Sequence, residues 1–128
     1  MNLKFDTIVH DIQETLFIIQ AELAGCDKKV GDEKVTELEN IISEIEKTLP
    51  PIKTFFISGG TELGASFDFA RTIARRAERR VVQVSEEGIQ KISPNTLKYL
   101  NRLSSVLYAL ARLSNHISGV GEQSPNYK

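Results

Sequence analysis

Apolar residues recur every three or four positions in four separate stretches of the chain, with charged or amide side chains between them. In the first stretch Ile8, Ile12, Leu16, Ile19 and Leu23 lie at helical spacing, which predicts a helix from about Phe5 to Ala24 with one buried stripe. Gly25 is a stop signal, and GCDKKVGDEK reads as a polar connection. Val35, Leu38, Ile41, Ile42, Ile45 and Leu49 restart the period until Pro50-Pro51 ends it. A third helix is expected from about Glu62 to Val84. Thr61 stands ready to cap it, Glu62 places a carboxylate in its first turn, and Leu63, Phe67, Ala70, Ile73, Ala74, Ala77, Val81 and Val84 form its inward stripe. Ser93-Pro94 gives the fourth helix a cap and a proline at its first position, after which Leu97, Leu100, Leu103, Leu107 and Leu110 run toward His116.

Between the second and third helices, IKTFFISGG has the composition of a strand but no partner strand of similar quality, so it is read as an extended connection. VVQV at Val81 to Val84 continues a helical pattern instead. The expected fold is therefore all-α: an up-and-down bundle of about four long helices, the longer ones spanning roughly 30 Å at about 1.5 Å per residue. Residues 1–118 form the expected bundle domain. The remainder, 119–128, is rich in Gly, Ser and polar residues and is expected to be a flexible tail.

Composition narrows the function classes. The chain has 128 residues, 16 Lys+Arg against 17 Asp+Glu, one cysteine and no tryptophan. A lone Cys26 makes no internal disulfide, and His10 and His116 are too far apart in sequence to suggest a metal site by spacing. No apolar run of about 18 residues exists, and the acidic start resembles no leader peptide. A cytoplasmic protein with no membrane partner is expected. The balanced charge argues against nucleic-acid binding by bulk electrostatics. That balance hides an asymmetry: Asp27 to Lys47 holds seven acids and four lysines, whereas Arg71 to Arg112 holds nine bases and three acids.

The basic half centres on five arginines between Arg71 and Arg80, accompanied only by Glu78. On a helix Arg71, Arg75, Glu78 and Arg79 share one face, with Arg76 and Arg80 in the adjoining row. Stacked like charges destabilise a helix, and a polyphosphate would offset them through paired guanidinium hydrogen bonds. A solvated basic face laced with ion pairs is the alternative. On the fourth helix Asn101, Ser104, Ser105, Tyr108 and Arg112 form a polar row away from Leu103, Leu107 and Leu110, suited either to a nucleotide or to solvent. Phe55 and Phe56 fit a core under a loop or an aromatic lid against a flat ligand.

Taken jointly, LPPIKTFFISGG, ARTIARRAERR and KYLNRLSSVLYALAR resemble the PduO-type family of ATP:cob(I)alamin adenosyltransferases. IQETLFIIQAELA and ELENIISEIEKTLPPI look like family segments too, so the resemblance runs from about Ile12 to Arg112. It implies a homotrimeric helical bundle that transfers the 5′-deoxyadenosyl group of ATP to cob(I)alamin, with sites between subunits. By motif, Arg75, Arg76, Glu78, Arg79 and Asn101 would bind ATP and its Mg2+-associated phosphates, Arg71 would tie one subunit to an aspartate of the next, and Phe55 would press on the lower face of the corrin. Arg75 and Phe55 are the residues expected to act on the reacting centre, and no protein-held metal is implied. The alternatives are a non-catalytic trimeric relative that binds corrinoid or nucleotide without turnover, and an interaction module whose arginines only pair between subunits. The family's Thr/Gly/Asp-rich phosphate-binding stretch and the helix after it are expected to precede the point where this chain starts. Ser58 replaces a usual proline, Asp68 a frequent histidine and Ser105 a usual aspartate.

Overall fold

The computed structural model describes residues 3–51, 56–122 and 124. Four helices follow in order: α1 (Phe5–Leu23), α2 (Asp32–Thr48), α3 (Glu62–Glu86) and α4 (Pro94–Ile117), with no strand among the described residues. The expected all-α bundle is present. None of these helices is long and apolar enough to cross a membrane. Segment 56–60 is neither helix nor strand, as expected for the connection; residues 52–55, which include Phe55, lie outside the described residues.

The element ends follow from local chemistry. Gly25 N–H reaches Glu22 O and Cys26 N–H reaches Ala21 O, closing the last turn of α1. At the start of α3 the Thr61 hydroxyl accepts from Gly64 N–H at 2.9 Å, the cap read from the sequence. Pro94 opens α4, but the Ser93 hydroxyl does not cap it. That hydroxyl turns to Glu22 of α1 instead.

Helix α4 is the centre of the bundle, with α2 and α3 packed against it. Its sequence suggested one apolar stripe and one polar row; in the fold Tyr99, Val106, Leu110 and Leu113 are all but fully covered, and Ser104, Arg112 and Ser114 are buried too. A central helix has neighbours all round, so small and polar side chains are covered along with the leucines. The inward stripe expected on α3 is only partly inward. Phe67 and Ala74 are buried, whereas Leu63 and Ile73 remain 45% and 44% exposed. The apolar arc of α3 is wider than α4 covers, and α1 does not close over the rest. Leu63 and Ile73 therefore line an open apolar groove of about 530 Å³, with Val9 and Leu16 of α1 and Leu103 and Leu107 of α4.

Helix α1 is held at both ends. Phe5 packs on Phe67 with ring centroids 5.9 Å apart, and Lys34 donates to Asp11 at 2.9 Å, which raises the lysine's pKa above its ordinary value. At the other end the buried Glu22 carboxylate accepts from the Thr96 hydroxyl at 2.6 Å and from Ser93 N–H at 2.7 Å. Past Ile117, Glu122 belongs to the segment expected to be flexible, yet it pairs with Arg112 at 2.6 Å.

Candidate functional site

The glycine-rich turn before α3 is fixed by two side chains whose sequence context carried no signal. Asn115 accepts from Thr61 N–H at 2.9 Å and from the Thr61 hydroxyl at 2.7 Å, and its own amide donates to Gly59 O at 2.7 Å. Its side chain sits so close to the backbone that a Cβ on Gly60 would meet it at 2.8 Å, and one on Gly64 would overlap Asn115 Oδ1. Gly60 also has φ of +94°, in the left-handed region. The buried Asp68 carboxylate accepts from Gly59 N–H at 3.0 Å from the other side. Asp68 thus answers a backbone donor; it does not stand free beside the arginines. The turn delivers Phe56 to the edge of the arginine face.

That face is split by the geometry of α3. Arg71 and Arg75 line an open cavity of about 420 Å³ together with Ser104, Ser105 and Tyr108 of α4 and Phe56. The Arg71 guanidinium lies over the Tyr108 ring, 5.5 Å from its centroid. Arg71 Nε and the Tyr108 hydroxyl are both buried and have no hydrogen-bond partner among the described residues. A smaller adjoining cavity of about 130 Å³ shares Phe56 and Tyr108 and is closed by Asp68, Arg112 and Asn115. Arg76, Arg79 and Arg80 are exposed on α3 and line neither cavity.

Among the described residues none of the five arginines of α3 makes an ion pair. Glu78, the one acid in their midst, accepts from the Asn101 amide at 2.9 Å. Asn101 Oδ1 accepts from Arg102 at 2.9 Å, and Arg102 also reaches Glu39 at 3.5 Å. Glu78 and Asn101 are therefore brought together across the α3/α4 contact, and this exposed chain of polar groups locates α2, α3 and α4 relative to one another. Among the described residues, the positive charge of Arg71, Arg75, Arg76, Arg79 and Arg80 has no ion-pair partner.

Arg112 departs from its expected place in the ligand-facing polar row. It is 6% exposed and is taken up by Glu122, the Pro50 carbonyl and the Phe56 ring. Of that row, Ser104, Ser105 and Tyr108 face the larger cavity, and Asn101 faces Glu78. The residues that sequence reasoning missed are Asn115 and the structural duties of Asp68 and Arg112, all of which depend on partners outside their own helices.

Comparison with known proteins agrees with the fold and with the family resemblance. The cobalamin adenosyltransferase family model matches residues 1–114. A corrinoid adenosyltransferase of Bacillus subtilis (strain 168) is 37% identical over 123 residues, covering 88% of this chain and 63% of that protein. Corrinoid adenosyltransferase PduO of Citrobacter freundii is 37% identical over 117 residues, covering 85% of this chain but 34% of its own length. The chain thus spans between a third and two thirds of these curated relatives. A solved variant of a PduO-type ATP:corrinoid adenosyltransferase from Lactobacillus reuteri, complexed with cobalamin and ATP, superposes with a TM-score of 0.87 at 30% identity, over 94% of this chain and 70% of that one. With its helical order, its arginine helix and nearly its whole length accounted for in this way, the chain belongs to the cobalamin adenosyltransferase family.

Proposed function

We propose that this chain transfers the 5′-deoxyadenosyl group of ATP to cob(I)alamin and releases triphosphate. The observation that carries the reading is the pair of buried, partnerless donors, Arg71 Nε and the Tyr108 hydroxyl, beside Arg75 in an open cavity. A buried polar group left unpaired costs about 1–3 kcal/mol, and an oxygen of a ligand or, at Arg71, of a neighbouring subunit's aspartate would recover that cost. In the proposed reaction the electron pair of reduced cobalt forms a bond to C5′ of ATP, the C5′–oxygen bond breaks, and triphosphate departs with that bonding pair.

The protein's contribution is position and charge. Arg75, with Arg79 on its own face and Arg76 in the adjoining row, would hold the triphosphate through paired N–H donors and stabilise the charge it gains on leaving. Glu78 and Asn101, already hydrogen bonded to each other, would present a fixed amide to the nucleotide. Arg71 is proposed to reach an aspartate of a neighbouring subunit. Phe55, next to the described Phe56, is proposed to press on the lower face of the corrin. Mg2+ would come with the nucleotide, associated with its phosphates. A homotrimer with sites completed between subunits is proposed; the exposed Arg75, Arg76, Arg79 and Arg80 leave that side of α3 open to a neighbouring subunit. A cytoplasmic setting fits the single free Cys26.

An anaerobic assay following conversion of cob(I)alamin to adenosylcobalamin with MgATP tests the proposal, and turnover is the expected result. Absence of turnover with corrinoid still bound would replace it with the non-catalytic binding reading.

A further inference from the structure

One guanidinium ties α4 to the connection between α2 and α3 and to the segment that follows α4. Arg112, on α4, donates from Nε to Glu122 Oε1 at 2.6 Å and from Nη2 to Glu122 Oε2 at 3.2 Å, so the carboxylate is gripped by both arms of the fork. Nη2 also donates to the Pro50 carbonyl at 2.9 Å, where the chain leaves α2. The Cζ atom lies over the Phe56 ring, 5.3 Å from its centroid, where the chain approaches α3. The side chain is 6% exposed. A charge so far out of water is a poor way to gain stability, because an apolar residue of similar size often packs as well without the desolvation cost. What the guanidinium supplies that an apolar residue lacks is direction: a planar fork fixed on one carboxylate has only one orientation to offer the ring above it.

Phe56 is also the wall that the two cavities share, with Tyr108. Wherever its ring sits sets the shape of the larger cavity, in which Arg71 and Arg75 face α4. We propose that Arg112 and Glu122 are positioning residues for the adenosyl-transfer site: Glu122 orients the Arg112 guanidinium, and the guanidinium holds Phe56 at the common wall of the two cavities. The segment beyond α4 is thereby part of the site's construction through Glu122. This rests on the reading of that cavity as the substrate site.

The chain contains no tryptophan, so Phe56→Trp places a single reporter at the wall. In that background three proteins are compared: the parent, Glu122→Gln, and Arg112→Met with Glu122→Gln. Glu122→Gln leaves a buried guanidinium without its counter-charge and is expected to lower the melting temperature. The double variant removes the charge as well and is expected to recover most of it. Positioning predicts that the reporter's anisotropy falls in both variants and stays low in the double variant despite its recovered stability. The dissociation constant for hydroxocobalamin, read by quenching of the indole, is expected to rise about tenfold in both, equivalent to about 1.4 kcal/mol of lost binding. A double variant with the parent's anisotropy would overturn the proposal and leave Arg112 and Glu122 a purely structural pair. If neither hydroxocobalamin nor MgATP perturbs the parent reporter, the cavity is not the substrate site and the proposed function fails, while the anisotropy series still decides whether the pair orients Phe56.

Discussion

Replacing Glu22 by Ala should be among the most damaging single changes to the bundle, although the residue lies in a stretch that reads as an ordinary amphipathic helix. The carboxylate is 5% exposed and is the acceptor for three donors of the α4 start: Ser93 N–H at 2.7 Å, the Ser93 hydroxyl at 3.0 Å and the Thr96 hydroxyl at 2.6 Å. Hydrogen bonds to a charged group contribute about 1.5–3 kcal/mol each, less the cost of drying the charge, and the three are not additive. The two hydroxyls already lie 3.1 Å apart and can satisfy each other in the variant. Ser93 N–H then remains as the group with no acceptor, so the expected loss is about 3 kcal/mol. At about 2.1 cal/mol/K per residue, a chain of this length unfolds with an entropy near 0.27 kcal/mol/K, so the melting temperature should fall by about 11 °C.

The pH profile provides a second readout of the same site. Burial pushes the Glu22 carboxyl up, but the hydrogen bonds from Thr96 and Ser93 and the charge of Lys29 outweigh it and hold it below its ordinary value of 4.5. A carboxyl whose pKa is lower in the folded state releases its proton more readily there. Its stabilisation is therefore complete above about pH 4.5 and fades as pH falls through the depressed folded value. Thermal melts between pH 3 and 7 should show a shallower acid limb for Glu22→Ala than for the parent. A melting temperature within about 3 °C of the parent at pH 7, or an unchanged acid limb, would refute the reasoning and make the network incidental.

The other expectations follow from single contacts. Arg75→Lys keeps the charge and loses the fork, so kcat/KM for ATP should fall by about 10²-fold with little change in melting temperature; equal losses in both would assign Arg75 to the scaffold. Gly64→Ala puts a methyl group onto Asn115 Oδ1 and should destabilise by about 2 kcal/mol in chemical denaturation, with Asn115→Ala in the same chain relieving part of the clash. Tyr108→Phe removes a buried hydroxyl that has no partner in the free protein, so stability should be unchanged or rise by up to about 1 kcal/mol while ligand affinity drops. Sodium tripolyphosphate should raise the melting temperature in proportion to the logarithm of its concentration, and the effect should shrink with added salt.

How far the sequence revealed this fold depended on how local each signal was. Pro50-Pro51, Thr61 and Ser93-Pro94 act within one turn of themselves, and the helices begin and end within about two residues of where those signals place them. Thr15 and Glu22 interrupt an apolar face, yet both are buried, because Glu22 finds its partners on α4, more than 70 residues away. The same holds for Asn115, whose partners are Gly59 and Thr61. Periodicity reports which side of a helix turns inward, but not which polar group waits there. The arginine cluster was visible because like charge at helical spacing has a local cost. Its division between Arg71 and Arg75 in the cavity and Arg76, Arg79 and Arg80 outside depends on where α4 lies.

That division bears on why α3 tolerates its own charge. Along α3, Phe67 and Ala74 turn toward the core, Leu63, Ile73 and Ala77 toward the open groove, and the arginines toward the cavity and solvent. Repulsion among the arginines works against the helix, and among the described residues Glu78 forms an ion pair with none of them; it accepts from the Asn101 amide instead. The helix is held instead by its packing on α4 and by the turn that Asp68 and Asn115 fasten to its first residues. A helix stabilised from outside in this way can keep charge that would unfold it alone, and an anion arriving at Arg75 finds the cost of gathering that charge already met by the fold. Preorganised charge is worth most to a leaving group whose own charge appears only as its bond breaks, because the donors need not move when it does.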